Sequence, residues 1–110
     1  MFFFFRVFFE ISISGVGSVG KMQAVLFSDY VPMTVKNFLA FCDPKAKLTY
    51  KGNRFYLIFQ NYFCLTGDVV ENMGFGGTSI YGPYFGDEDH TLEHGERGEF
   101  YGIDIKATKT

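Results

Sequence analysis

Apolar and polar residues at the start of the chain are distributed as in a β-hairpin. Residues 6–14, RVFFEISIS, are rich in β-branched and aromatic types, which favour strands. Residues 21–27, KMQAVLF, have the same character. Residues 15–20 between them are rich in glycine and predict the turn.

The spacing of apolar residues becomes helical in residues 29–42, DYVPMTVKNFLAFC. Pro32 suits the first turn of a helix, where its missing N–H costs no hydrogen bond. The spacing therefore predicts a helix in this segment. Its apolar positions are Val31, Val35, Phe38, Leu39 and Cys42.

A second hairpin is predicted after a polar connection at residues 43–52. Residues 53–58 and 62–66 are mostly apolar and aromatic, and Gln60 and Asn61 predict the turn between them. The predicted order is hairpin, helix, hairpin and then a long loop. The fold class is therefore mainly β with one or two helices, and four strands leave exposed sheet edges rather than a closed barrel.

Composition places the chain among single globular domains. Its 110 residues are 47% hydrophobic and 20% charged, a balance unlike that of disordered chains. Aromatic residues make up 20%, including 15 Phe, and this surplus predicts a large core, a groove or an interface.

Charge and hydropathy exclude several classes of partner. The net charge is -2 and no basic stripe occurs, so nucleic-acid binding is not expected. The opening MFFFFRVFFE is interrupted by Arg6 and lacks the basic start of a signal peptide. No apolar run reaches the length of a membrane helix, and a cytoplasmic location is expected.

Two loops offer candidate chemistry, each with a simpler interpretation. GFGGTSIYG could bind phosphate, but no lysine and no helical pattern follow it, which favours a turn-rich loop. In DEDHTLEH, His90 and His94 are spaced as zinc ligands on a helix, but an acidic solvated loop fits better. Neither a metal nor a cofactor is therefore expected.

The two cysteines, Cys42 and Cys64, lie in apolar segments, and we expect two buried free thiols. Burial in apolar surroundings lowers thiol reactivity. No Ser-His-Asp or Cys-His arrangement is apparent.

Four stretches of the chain resemble the cyclophilins, the cyclosporin-binding peptidyl-prolyl isomerases. They read VFFEISI, GKMQAVLFSDYVPMTVKNFLAFC, YKGNRFYLIFQNYFCLTGD and GFGGTSIYGPYFGDE, in family order. The resemblance covers about residues 7–98 of a single, partial domain at 1–110. It implies an antiparallel β-barrel, here incomplete, with an outer groove that holds an X-Pro peptide while its prolyl bond rotates.

The residues between Arg54 and Asp68 depart from the family pattern of Phe-His-Arg followed by Phe-Met-Cys-Gln-Gly-Gly-Asp. The resemblance implies that Leu57 occupies the place of the catalytic arginine, so no catalytic residue is intact. Leu65 replaces the groove glutamine, and Tyr56 replaces the histidine. The peptide-binding positions that the resemblance implies are Tyr62, Phe63, Leu65 and Gly74.

Arg54 is the one nearby replacement for the missing arginine. It lies three residues before Leu57, and on a strand an odd offset points to the opposite face. We therefore do not expect Arg54 to substitute.

The match fails after Gly98, so part of the groove wall and of the barrel has no counterpart in the sequence. We expect self-association through the unclosed barrel, instability, or an incomplete gene product. Three functions stay open: a weak or inactive isomerase, a non-catalytic module that binds proline-containing peptides, and a degenerate relative. Cyclosporin-like ligands are expected to bind weakly, and Leu57→Arg alone should not restore full activity.

Overall fold

A computed structural model describes residues 5–86 and Glu88. The described residues belong to two compact units, residues 5–31 with Glu88 and residues 32–86. The strands are antiparallel, and within the described residues they form two separate two-stranded sheets rather than a closed barrel. This confirms a mainly β fold with one helix. The elements are β1 (Phe5–Ile13), β2 (Gly17–Leu26), α1 (Pro32–Cys42), β3 (Leu57–Phe59) and β4 (Phe63–Leu65).

The first unit contains the β1–β2 hairpin. Val7 lies opposite Ala24, and both are buried, which places the apolar face of the hairpin around this pair. Glu10 and Lys21 face each other on the exposed side, where opposite charges are favourable.

The turn of this hairpin is shorter than the predicted 15–20. The N–H of Val16 donates to the carbonyl of Ile13 at 3.0 Å, and β2 already begins at Gly17. A register shift between Ile11 and Ser12 leaves Val19 of β2 without an opposite residue, next to Gly20, whose φ is 152°. The glycines of residues 15–20 thus lie partly in the turn and partly at a β-bulge. Their number alone could not show where the turn ends and the bulge begins.

Helix α1 begins at Pro32, within the predicted segment. Val35 is buried as expected, but Phe41, which the spacing did not include, is buried as well. The ring of Phe41 packs against that of Tyr50 at 5.5 Å, and its carbonyl accepts the Tyr50 N–H at 2.7 Å and the Thr49 hydroxyl at 2.9 Å. The connection after the helix therefore folds back and satisfies its C-terminal end.

The loop near the end of the second unit is tied to the same helix. The N–H of Ile80 donates to Asn37 Oδ1 at 2.8 Å, and the Tyr81 hydroxyl donates to the carbonyl of Met33 at 2.9 Å. The loop's polar groups are thus satisfied without regular structure.

The second hairpin is shorter than predicted. Its turn falls at Gln60 and Asn61 as expected, with Asn61 at φ 62°. Residues 53–56, however, are not in a strand. The N–H of Arg54 donates to the side chain of Asn72 at 2.6 Å, so this segment is bonded to a loop.

Both cysteines are free, but the prediction that both are buried is wrong. Cys42 is half-buried at the end of α1, and burial raises the pKa of its thiol to about 11. Cys64 is exposed and lies in the two-stranded sheet of β3 and β4.

No helix in the part of the chain that the structure describes is long and apolar enough to cross a membrane.

Candidate functional site

The β3–β4 hairpin brings together most of the residues that the sequence marked as a peptide site. Leu57 pairs with Leu65, and Phe59 pairs with Phe63. Directly opposed residues share a face of a sheet, and residues two apart in a strand share it too. These four side chains therefore form one surface, the hairpin face, while Ile58 and its partner Cys64 lie on the other side.

The hairpin face is apolar and open to solvent. Leu57 is 39% exposed and Phe63 42% exposed, and Leu65 is half-buried. The Phe63 ring lies 4.9 Å from that of Phe59. At the turn, Tyr62 is 84% exposed and its ring meets Phe63 at 4.9 Å, edge to face.

The surplus of aromatic residues thus lies largely at the surface. Among the described residues no large side chain is fully buried. Cross-strand aromatic contacts stabilise a hairpin by only about 0.2–1 kcal/mol per pair. The rings of this hairpin therefore gain little from these contacts and remain exposed, Phe59 at 51% and Tyr62 at 84%.

Gly74 reaches the base of the hairpin by contacting Tyr56. A Cβ at Gly74 would lie 2.6 Å from Cε2 of the Tyr56 ring, and the φ of Gly74 is +94°. A side chain there would both clash and strain the backbone. The N–H of Tyr56 in turn donates to the carbonyl of Leu65 at 3.1 Å.

The most highly organised part of this region is centred on Asp68, a residue that sequence reasoning did not single out. Asp68 is 6% exposed. Among the described residues, five backbone N–H groups donate to its carboxylate. Oδ1 accepts from Val70 at 3.1 Å and Glu71 at 2.9 Å, and Oδ2 accepts from Met73 at 3.2 Å, Gly74 at 2.8 Å and Gly76 at 3.0 Å.

Two effects act on the pKa of Asp68. Burial raises it, but the backbone hydrogen bonds from Glu71, Gly76, Gly74 and Met73 together outweigh burial. The pKa therefore lies well below the usual range of a carboxyl group, and Asp68 is an anion at neutral pH. The sequence signal for this arrangement is an aspartate just before a glycine-rich stretch that lacks lysine.

Arg54 is exposed and lies outside β3, so the strand argument about its direction was wrong in its premise. The described hydrogen bonds of Arg54 involve its backbone. Its carbonyl accepts the hydroxyl of Thr66 at 2.8 Å, and its N–H is held by Asn72.

The glycine loop GFGGTSIYG is a turn-rich loop, as predicted. Its backbone N–H groups donate to the carboxylate of Asp68 and take part in a β-bridge between Ser79 and Gly82. His90 and His94 lie outside the described residues. Within the described residues no cluster of three His, Cys, Asp or Glu side chains could hold a metal ion.

Comparison with known proteins identifies relatives over most of the chain. The family model "Cyclophilin type peptidyl-prolyl cis-trans isomerase/CLD" matches residues 8–101. Peptidyl-prolyl cis-trans isomerase D of Kluyveromyces lactis is 40% identical over 98 residues, which are 81% of this chain and 26% of the relative.

Two further relatives extend this comparison. A peptidyl-prolyl cis-trans isomerase of Rhizopus delemar is 38% identical over 101 residues, 84% of this chain and 30% of the relative. The NK-tumor recognition protein of Mus musculus is 43% identical over 84 residues, 69% of this chain and 6% of the relative. The chain thus spans 30% or less of the length of each of these relatives.

Proposed function

Since the chain belongs to the cyclophilin-type peptidyl-prolyl cis-trans isomerase family, we propose that its hairpin face binds proline-containing peptides and isomerises them weakly or not at all. The observation that carries this proposal is an exposed, uncharged aromatic surface at the positions where the family resemblance implies a peptide site. Phe59, at 51%, is the most exposed ring of this face, and Tyr62 beside it at the turn is 84% exposed.

Weak catalysis follows from the side chain at position 57. Rotation about a prolyl bond has a barrier of about 18–20 kcal/mol because amide resonance is lost. A donor to the prolyl nitrogen stabilises the twisted amide, and leucine has no donor. Loss of one such donor in acyl-transfer enzymes costs about 10²–10³ in rate, which sets the scale expected for Leu57.

Binding does not depend on the missing donor. A proline ring is an apolar group, and the tilted rings of Phe59 and Phe63 beside Tyr62 offer it apolar surface. No residue between Arg54 and Asp68 is charged, so binding to this face should depend little on salt.

Three finer expectations accompany the proposal. The protein acts in the cytoplasm, cyclosporin-like ligands bind it weakly, and copies associate through exposed strand edges. The last expectation has physical support in the two two-stranded sheets of the described residues, since uncovered edges pair readily.

The proposal is tested by measuring the cis-trans exchange rate of a short X-Pro peptide by NMR, with protein added at stoichiometric concentration. We expect peptide signals to broaden or shift on binding, with little acceleration of exchange. Rapid exchange would show that Leu57 does not limit catalysis, and unchanged peptide signals with a folded sample would favour a degenerate relative.

A gain-of-function pair sharpens this test. Leu57→Arg should raise the exchange rate, but not to full activity, while Ile58→Arg places the same charge on the opposite side of β3 and should not raise it. Equal acceleration by both variants would contradict the assignment of the hairpin face.

A further inference from the structure

A continuous series of contacts joins Asp68 to the hairpin. Of the five backbone N–H groups that donate to its carboxylate, that of Gly74 makes the shortest hydrogen bond, at 2.8 Å. Gly74 lies directly against the ring of Tyr56. Tyr56 is bonded through its N–H to Leu65, which belongs to the hairpin face.

The contact between Gly74 and Tyr56 leaves little freedom for the ring. An added Cβ at Gly74 would lie 2.6 Å from Cε2 and 2.9 Å from Cδ2 of Tyr56. The space beside Gly74 is therefore too small for a side chain, and the Gly74 backbone limits the movement of the ring on that side. The position of Gly74 is itself set by the carboxylate.

We propose that Asp68 is a positioning residue for the hairpin face: by holding Gly74 it fixes Tyr56, the residue that directly precedes Leu57 and whose N–H bonds to the carbonyl of Leu65. This inference rests on the proposed peptide-binding function. It adds Tyr56 as the side chain through which the loop at residues 68–77, the Asp68 loop, determines peptide affinity.

The five backbone N–H groups around Asp68 require a carboxylate as their acceptor. Each oxygen of Asp68 accepts at least two backbone N–H groups. An asparagine has only one side-chain oxygen. Its NH₂ group is a donor and would face backbone N–H groups that are donors themselves. Asp68→Asn should therefore release one half of the loop while changing the shape of the side chain very little.

The test compares Asp68→Asn with Asp43→Asn. Among the described residues the carboxylate of Asp43 accepts one backbone N–H, that of Lys45 at 2.9 Å, and Asp43 is exposed. The first readout is the NMR signal of the Tyr56 ring without peptide, assigned with Tyr56→Phe. The second is the affinity for the peptide acetyl-Ala-Phe-Pro-Phe-amide.

We expect Asp68→Asn to shift the Tyr56 ring signals and to weaken peptide binding about tenfold, and Asp43→Asn to change neither. Ring signals that stay unchanged in folded Asp68→Asn would overturn the proposal.

Gly76→Ala provides a second variant should Asp68→Asn fail to fold. A Cβ at Gly76 would lie 2.8 Å from Oδ1 of Asp68, so the substitution displaces the carboxylate without removing its charge. Gly86→Ala is the matched control, because a Cβ at Gly86 meets nothing within 4 Å. We expect Gly76→Ala, but not Gly86→Ala, to shift the Tyr56 ring and weaken binding; equal effects of the two would overturn the proposal.

A double-mutant cycle separates positioning from general destabilisation. In a Tyr56→Ala background, Asp68→Asn should cause no further loss of peptide affinity, because the ring through which it acts is gone. The same tenfold loss in both backgrounds would overturn the proposal. The two proposals can also fail separately. If the native protein binds no peptide but Asp68→Asn shifts the Tyr56 ring signals, the proposed function is wrong and the positioning of Tyr56 by Asp68 is supported.

Discussion

The hairpin face and the Asp68 loop lie close together in sequence but are stabilised in opposite ways. The hairpin has regular strands, yet its rings are exposed and its cross-strand contacts are few. The Asp68 loop has no regular structure, yet five of its backbone N–H groups converge on one buried carboxylate.

The comparison shows that strand content does not measure local order. Backbone groups that are satisfied by one anion form a unit that is costly to open, because each donor would lose a charged acceptor. Three residues in each of two strands bury little and are marginal alone. The irregular loop therefore supports the regular hairpin, through Gly74 and Tyr56, rather than the reverse.

The largest effect should come from removing the carboxylate. We expect Asp68→Ala to lower the free energy of unfolding by about 3 kcal/mol or more, because several buried donors lose their acceptor at once. Urea denaturation of native and variant protein measures this difference.

Asp43→Ala is the control for that measurement, since the carboxylate of Asp43 accepts one exposed N–H among the described residues. It should cost less than about 1 kcal/mol. Comparable losses for the two variants would mean that the convergence of donors on Asp68 adds nothing to stability, and the comparison between loop and hairpin would fail.

The two cysteines test how open the hairpin is. Exposed Cys64 should react with iodoacetamide at pH 8 at least about tenfold faster than Cys42, whose pKa burial raises to about 11 and which is half-buried in α1. Mass spectrometry of peptide fragments follows each thiol. In denaturant the rates should converge, and equal rates in the folded protein would contradict an open hairpin.

Acid should weaken the Asp68 loop selectively. The pKa of Asp68 is lowered in the folded state, so its stabilising contribution is complete above the unfolded pKa of about 3.9 and is lost as pH falls below that value. By pH 3 the loss should be about 1 kcal/mol relative to pH 7.

The measurement is the difference in stability between native protein and Asp68→Asn at both pH values. Asparagine does not titrate, so the difference should shrink on acidification. A constant difference would show that the carboxyl group keeps its ordinary pKa in the folded state.

Much of this architecture could be predicted from local sequence. The hairpin–helix–hairpin order followed from the change between strand-like and helical spacing, and the turn at Gln60 and Asn61 was located correctly. Pro32 fixed the start of α1 because it fits only the first turn of a helix.

Features that depend on distant partners were not predictable in the same way. Phe41 is buried by Tyr50, which lies beyond the helix, and residues 53–56 leave the strand because Asn72 bonds to Arg54. Asp68 was not predicted as a functional residue because an aspartate usually lies in solvent. Its role follows only from the path of the backbone around it.

The smallest effect on stability should come from the most exposed ring. Tyr62 is 84% exposed, so Tyr62→Ala should change the free energy of unfolding by less than about 0.5 kcal/mol. It should nevertheless weaken binding of an X-Pro peptide, because the ring offers its surface to a ligand rather than to the core. Denaturation and peptide titration of one sample measure both. A large loss of stability would place Tyr62 in the packing of the protein, and unchanged affinity would place the peptide elsewhere than at the turn of the hairpin.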